Sequence, residues 1–255
     1  MKISVYTSAF NLIKNNFNGW QKSLLSSSQL ADEVVVAVNT SVDDTIEQIE
    51  ALKLPNLIIL QTNYQYTDPL LDGKVKNAAL QACSGDILIQ LDMDEYIPTC
   101  QHMVWRLCAQ HLMSSPEIDC YMIPSLNLYK EMHLAKDISA NWYMHKRGFY
   151  RGPVGFARKA DGTVDTYKSD TCELIDAYGC LVKTAKLPSD LKSLQDGGIF
   201  VVHFGYLDLQ SRIDRNNKFW KEHWLLESGG VEPPHKLHTQ LEEFNEDYFV
   251  HGLAI

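Results

Sequence analysis

Along the first hundred residues the apolar positions keep two alternating rhythms. Short, nearly unbroken apolar runs at 2–7 (KISVYT), 33–38 (EVVVAV), 56–61 (NLIILQ) and 86–92 (DILIQLD) have the length and β-branched content of strands. Val34 to Val38 is apolar at every position, as in a strand covered on both faces. Between these runs the apolar residues open out to helical spacing. Trp20, Leu24, Leu25 and Leu30 share a stripe within 18–32, Ile46, Ile49 and Leu52 within 42–52, and Val75, Ala79 and Ala82 within 73–84. Asp43 and Asp44 open the second helix, where acids complement its positive end, and Gly85 stops the third. Strand and helix in regular succession predict an α/β fold, a mainly parallel sheet with helices on both faces. Ligands of such sheets sit beyond the carboxyl ends of the strands.

The second half is less regular. The pattern predicts a helix over 99–113, a strand over 119–129 interrupted by Pro124, and another strand over 197–206. Residues 130–198 mix Gly, Lys, Asp and aromatic residues in short pieces, which predicts twisted hairpins and loops. An amphipathic helix is expected over 208–226, with Leu209, Ile213, Trp220 and Trp224 on one face. A Gly-Gly-x-x-Pro-Pro segment at 229–234 breaks it, and a short helix near 236–249 follows. The reading is of one domain over 1–255, in three parts: 1–130, 131–206 and the C-terminal helices of 207–255.

Composition narrows the classes. The chain has 255 residues, 45% of them hydrophobic, enough for a sizeable core. A net charge of −9 argues against a general nucleic-acid or anionic-membrane binder, though not against an anionic ligand held by a few cations. None of the six cysteines forms a C-x-x-C pair, so no structural zinc site is expected. The opening MKISVYTSAF is too short and polar for a signal peptide, and no apolar run approaches a membrane span. The expectation is a cytoplasmic protein with free thiols.

The sharpest chemical signal is GDILIQLDMDEYIP at 85–98, where a buried strand runs straight into Asp92, Asp94 and Glu95. In extended backbone Asp92 and Asp94 point to one side and Glu95 to the other. Two carboxylates on one side suit a hard cation such as Mg2+ or Mn2+, which relieves their repulsion and can bind a diphosphate. An acidic turn capping the next helix is the plain alternative for a bare D-x-D, and helix capping is the role expected of Glu95.

The stretch GKVKNAALQACSGDILIQLDMDEYI resembles the approach to the D-x-D motif of family 2 glycosyltransferases, with Lys76 and Asn77 on a helix, a Gly85-Asp86 turn, a strand, then D-x-D-E. VVVAVNTSVDDT resembles that family's second strand and D-G-S-x-D-x-T turn, and KISVYTSAFN its first strand and following loop. The likeness covers residues 1–100. Beyond it, HKRGFYRG and CELI are only faintly similar to the acceptor half of lipopolysaccharide-core type enzymes. The resemblance implies a GT-A fold: a Rossmann-like, mainly parallel sheet that binds a nucleotide sugar over 1–130, an irregular acceptor side over 131–206, and C-terminal helices. It implies a metal-dependent inverting transfer of one sugar from a UDP- or GDP-linked donor to a glycan or glycolipid acceptor. A Q-x-x-R-W motif is absent, so processive synthesis is not implied. Val38 and Asn39 stand where the family usually has acid, which leaves the nucleotide open.

By this resemblance Asp94 binds Mn2+ or Mg2+ and Asp92 lies near the ribose or donor sugar. Thr7, Asn39 and Lys76 touch the nucleotide, and His203 completes the metal shell or meets a phosphate. The acceptor-side base is Glu173, with Asp170 and Asp165 behind it. Arg147 and Arg151 are candidates for an anionic ligand. The basic stripe Arg212, Arg215, Lys218 and Lys221 reads as a solvated helix face, with peripheral membrane contact as the second reading. Two other functions stay open: a sugar nucleotidyltransferase, which TSAFNLIKNN disfavours by lacking a Gly-rich basic loop, and a non-catalytic nucleotide-sugar-binding domain.

Overall fold

The computed structural model describes residues 1–15, 19–65, 68, 71–129, 131–151, 155–158, 164–167, 174–175, 183–189 and 191–206. In chain order the first half comprises β1 (Ile3–Ala9), α1 (Trp20–Leu30), β2 (Glu33–Asn39), α2 (Thr45–Glu50), β3 (Leu57–Thr62), α3 (Leu71–Ala82), β4 (Ile87–Gln90) and β5 (Glu95–Tyr96). A 3-10 turn (Thr99–Gln101) leads into α4 (His102–Ser114), then β6 (Cys120–Tyr129) and β7 (Glu131–Lys146). The short strands β8 (Tyr150–Arg151), β9 (Gly155–Arg158), β10 (Val164–Tyr167), β11 (Leu174–Ile175) and β12 (Thr184–Lys186) follow, then α5 (Leu191–Gln195) and β13 (Val201–Tyr206).

One nine-stranded sheet runs β3-β2-β1-β4-β7-β6-β13-β5, with β12 paired alongside β6. The pairs β3/β2, β2/β1 and β1/β4 are parallel, as the alternating patterns predict, and β6/β13 is parallel as well. β7 is antiparallel to β4 and β6, and β5 is antiparallel to β13. Side-chain alternation divides the apolar residues between the two faces. Ile3, Val5, Val34, Val36, Ile87 and Ile89 pack with Leu24 of α1 and Trp105 of α4. Tyr6, Val35, Ala37 and Leu88 pack with Leu71, Val75 and Ala79 of α3. Helices therefore cover both faces of the sheet. No helix of the described residues is long and apolar enough to cross a membrane. Cys83, Cys100, Cys108 and Cys120 are free thiols, while Cys172 and Cys180 lie outside the described residues.

Two expectations for the second half need correction. Residues 131–146, expected as loops and short hairpins, form a single 16-residue strand in the middle of the sheet. Its polar and small residues hide the two-residue period, and its pairing with β6 and β4 supplies the order that local pattern lacks. Pro124 does not interrupt β6. The strand passes through it with a register shift between Ile123 and Pro124, which accommodates a residue without an N–H. Farther on, the successive strands β9 and β10 pair antiparallel, and β8 pairs antiparallel with β11. The helices expected over 208–226 and 236–249, and the basic stripe, lie outside the described residues.

At the amino edge of the sheet Glu33 is buried and binds two separate segments, the start of β1 and the turn before β4. It accepts hydrogen bonds from Lys2 Nζ at 2.6 Å, Ser4 Oγ at 2.6 Å and Ser84 Oγ at 2.5 Å, and from the Ser84 N–H. Gly85 follows Ser84 and packs so tightly that a Cβ there would stand 2.4 Å from Ser4 Oγ, which accounts for the Gly-Asp turn before β4. Burial alone would raise the carboxyl pKa of Glu33. The bonds from Lys2, Ser4 and Ser84 outweigh it and bring the value down to about 2 from an ordinary 4.5. A depressed pKa makes this contribution complete above about pH 4.5 and takes it away as the pH falls toward 2. Glu33→Gln is expected to lower Tm by several degrees at pH 7, on the order of 2 kcal/mol, while the gap from wild type closes between pH 4.5 and 2. Thermal melts of both proteins across that range check it; a constant gap would contradict the assignment.

Candidate functional site

The carboxyl ends of β1, β2, β3 and β4 open on one edge of the sheet, as their parallel pairing requires. β4 ends at Gln90, and the chain turns through Asp92–Asp94 before entering β5, with the Glu95 N–H donating to the Asp92 carbonyl at 3.1 Å. β5 then pairs with β13, placing His203 opposite Glu95, and the Phe204 N–H donates to the Asp94 carbonyl at 2.8 Å. On its other side β13 pairs with β6, placing His203 opposite Asn127. Residues opposite each other project to the same face, so Glu95, His203 and Asn127 form one row across three strands.

Asp94, Glu95 and His203 are all buried, and their donor atoms lie within 4.8 Å of one another. His203 Nε2 stands 3.4 Å from Asp94 Oδ2, and its Nδ1 is 2.7 Å from Asn127 Oδ1. The Glu95 side chain takes the Asp92 N–H on Oε2 at 2.7 Å, whereas its buried Oε1 has no hydrogen-bond partner among the described residues. Burial pushes the Glu95 carboxyl well above its ordinary pKa, and the charges of Asp92 and Asp94 push it further. The cluster therefore calls for a cation or a proton. Two carboxylates with one imidazole make a donor set for a divalent ion, and the imidazole inclines it toward Mn2+ over Mg2+.

Asp92 does not join Asp94 on one side, contrary to the expectation for extended backbone. The turn sends Asp92 toward α3, where its Oδ1 is 3.0 Å from Lys76 Nζ, while Asp94 faces His203. Lys76 is itself buried and also contacts Asp72 at 2.9 Å. Glu95 is no helix cap: the next helical turn starts at Thr99, and Glu95 belongs to the buried cluster. Glu95 and Asn127 are the residues that sequence reasoning missed. The polar positions Ser125 and Asn127, alternating with Leu126 and Leu128, were the available signal for Asn127.

Thr7 lies inside β1, two residues short of its end, buried and with its hydroxyl unpartnered among the described residues. Asn39 ends β2 as expected, but its carboxamide is engaged within the protein. Its Oδ1 accepts from the Tyr64 N–H at 2.9 Å and the Thr62 hydroxyl at 3.0 Å, and its Nδ2 donates to the Tyr64 carbonyl at 3.0 Å. It stitches the segment after β3 to β2.

The turn after β2 is also engaged internally. Asp43 accepts N–H bonds from Ile13 at 3.1 Å and Lys14 at 2.8 Å, and Thr45 Oγ1 accepts from the Leu12 N–H at 2.9 Å. Ser41 Oγ takes the Asn11 N–H at 3.0 Å, and Asn11 Oδ1 takes the Val42 N–H at 2.8 Å. Burial opposes ionisation of Asp43, yet the bonds from Lys14, Thr45 and Ile13 hold its pKa below the ordinary range. The turn thus fixes the loop after β1. Arg147 donates to the Cys83 carbonyl and so ties the end of β7 to α3. Arg151 lies on β8 and Asp165 on β10, whereas Glu173 and Asp170 lie outside the described residues.

No family model matches the chain, and no curated protein matches it. Similar solved structures include the Staphylococcus aureus protein TarS, residues 1–349, in complex with UDP. That match is 24% identical with a TM-score of 0.41, over 51% of this chain and 37% of that one. A second structure of TarS 1–349 aligns over 90% of this chain and 72% of that one, at 15% identity and a TM-score of 0.48. Glucosyl-3-phosphoglycerate synthase from Mycobacterium tuberculosis, in complex with Mn2+, UDP and phosphoglyceric acid, aligns over 49% of this chain and 43% of that one, at 22% identity and a TM-score of 0.35.

The electrostatics of the cluster lead to an inverted stability order. At pH 8 in EDTA, Asp94→Asn removes one of the charges that oppose ionisation of Glu95, and its Tm is expected to equal or exceed that of wild type by about 1–3 °C. Saturating Mn2+ should raise the wild-type Tm and leave Asp94→Asn nearly unmoved. Thermal melts with and without Mn2+ check this, and a variant that melts lower in EDTA would contradict it.

Proposed function

We propose that this chain is a divalent-metal-dependent glycosyltransferase of the GT-A type, moving one sugar with inversion from a UDP- or GDP-linked donor to a hydroxyl of a glycan or glycolipid. The observation that carries the reading is the buried Asp94–Glu95–His203 cluster beside the carboxyl ends of the parallel strands, with Asp92 and Lys76 next to it. The resemblance over residues 1–100 supports it.

In this reading Asp94, Glu95 and His203 hold Mn2+ or Mg2+. When bound, the ion supplies positive charge where a departing nucleoside diphosphate builds up negative charge. Asp92 orients the ribose or donor sugar. Lys76, already fixed between Asp72 and Asp92, adds a cation close to the phosphates. Thr7 offers a hydroxyl on the floor of the nucleotide site. Glu173 is the base that takes the acceptor proton, with Asp170 the next candidate.

The test is a panel of nucleotide sugars with Mn2+ or EDTA, read by released nucleoside diphosphate and by thermal shift. Diphosphate release that requires Mn2+, including slow donor hydrolysis without acceptor, is the expected result. Pyrophosphate chemistry would assign a nucleotidyltransferase instead, and binding without any turnover a non-catalytic domain. Once an acceptor is found, Glu173→Gln is expected to keep donor affinity near wild type and lose about 10²-fold or more in transfer rate. Loss of donor binding in that variant would remove Glu173 from the role of base.

A further inference from the structure

Asn127 stands on β6 in register with His203, is 6% exposed, and puts its Oδ1 2.7 Å from His203 Nδ1. Oδ1 can only accept, so His203 Nδ1 must carry the proton. In the neutral ring Nε2 then carries no proton. It looks toward Asp94 Oδ2 at 3.4 Å, within the cluster that includes Glu95. The reverse arrangement turns the amide so that Asn127 Nδ2 donates to Nδ1, and Nε2–H donates to Asp94. It fits less well, because 3.4 Å exceeds the usual N–H···O range of about 2.7–3.2 Å.

Side-chain chemistry points the same way. A carboxylate at 127 would also accept from Nδ1–H, but it would add another charge close to two buried acids. The neutral carboxamide fixes the ring without that cost. A rigid strand pairing sets the row, so the imidazole is aimed before any ligand arrives.

We propose that Asn127 is a positioning residue: its Oδ1 accepts the Nδ1 proton of His203, so that the imidazole turns an unprotonated Nε2 toward Asp94 and Glu95 as a ligand for a divalent cation. This rests on the metal reading given under the proposed function. Asn127 itself touches neither the ion nor the substrate. Loss of an outer partner of this kind typically weakens metal binding 10–100-fold.

The test uses the full chain, with [15N]histidine labelling and long-range proton–nitrogen correlation at pH 8 in EDTA. His203→Gln identifies the His203 signals by their loss. The wild type should show the Nδ1–H tautomer; an Nε2–H tautomer would overturn the proposal outright, with no variant at 127 required. Mn2+ affinity is then read from the electron paramagnetic resonance signal of the free ion. Asn127→Leu, close in shape but without an acceptor, should lose the tautomer preference and bind Mn2+ about 10–100-fold more weakly. Asn127→Asp, which restores the acceptor, should recover both. If Asn127→Leu does not fold, Asn127→Ala replaces it, with the same loss expected. Unchanged Mn2+ affinity in the acceptor-free variant, beside a wild type that binds, overturns this inference and leaves the metal reading standing. A wild type that binds no Mn2+ overturns the metal reading together with this one.

Discussion

Asp92, Asp94 and Glu95 follow one another where a buried strand ends, and like charges in a dry place repel far more strongly than they do in water. The surrounding structure answers that repulsion by sending the acids to different partners. The turn after β4 directs Asp92 toward Lys76 of α3 and Asp94 toward His203 of β13. Glu95 is kept between them with one oxygen on the Asp92 N–H and the other unpartnered among the described residues. Each acid is thereby aimed, and Asp94, Glu95 and His203 bring their donor atoms within 4.8 Å of one another.

This arrangement depends on how the sheet is assembled. The four strands of the first half are parallel, which gathers their carboxyl ends at one edge. β7 then enters antiparallel beside β4 and carries the sheet across to β6 and β13. Only through that bridge can β13 return to the two-residue strand β5 and set His203 opposite Glu95. The row Glu95–His203–Asn127 is a consequence of strand register, a more rigid support than a loop provides.

The polar residues at this edge divide into two kinds. Asn39, Ser41, Asp43 and Thr45 spend their hydrogen bonds on neighbouring loops, fixing the rim around the site. Thr7 and Glu95 retain buried oxygens with no hydrogen-bond partner among the described residues. Unpartnered buried polar atoms are costly, which sets these two apart from the satisfied side chains of the rim. The acidic turn after β2 looks like a binding motif in sequence, yet the bonds it makes are internal.

What the sequence determined by itself was whatever depends on near neighbours. The strand and helix periods of residues 1–100, the parallel α/β class and the candidacy of Asp92 and Asp94 were legible there, because the two periods and the D-x-D spacing are local, whereas Lys76 and His203 became candidates only through the family resemblance. The tertiary structure alone decided that 131–146 is a central strand, that Asp92 and Asp94 part company, that Asn39 is consumed in a loop clamp, and that Glu95 and Asn127 flank His203. Each of these is set by pairing between segments far apart in the chain. Whether a carboxylate or an amide meets a helix end, a loop or a histidine depends on which strand lies next to it, and the spacing of residues along one strand carries no record of its neighbours.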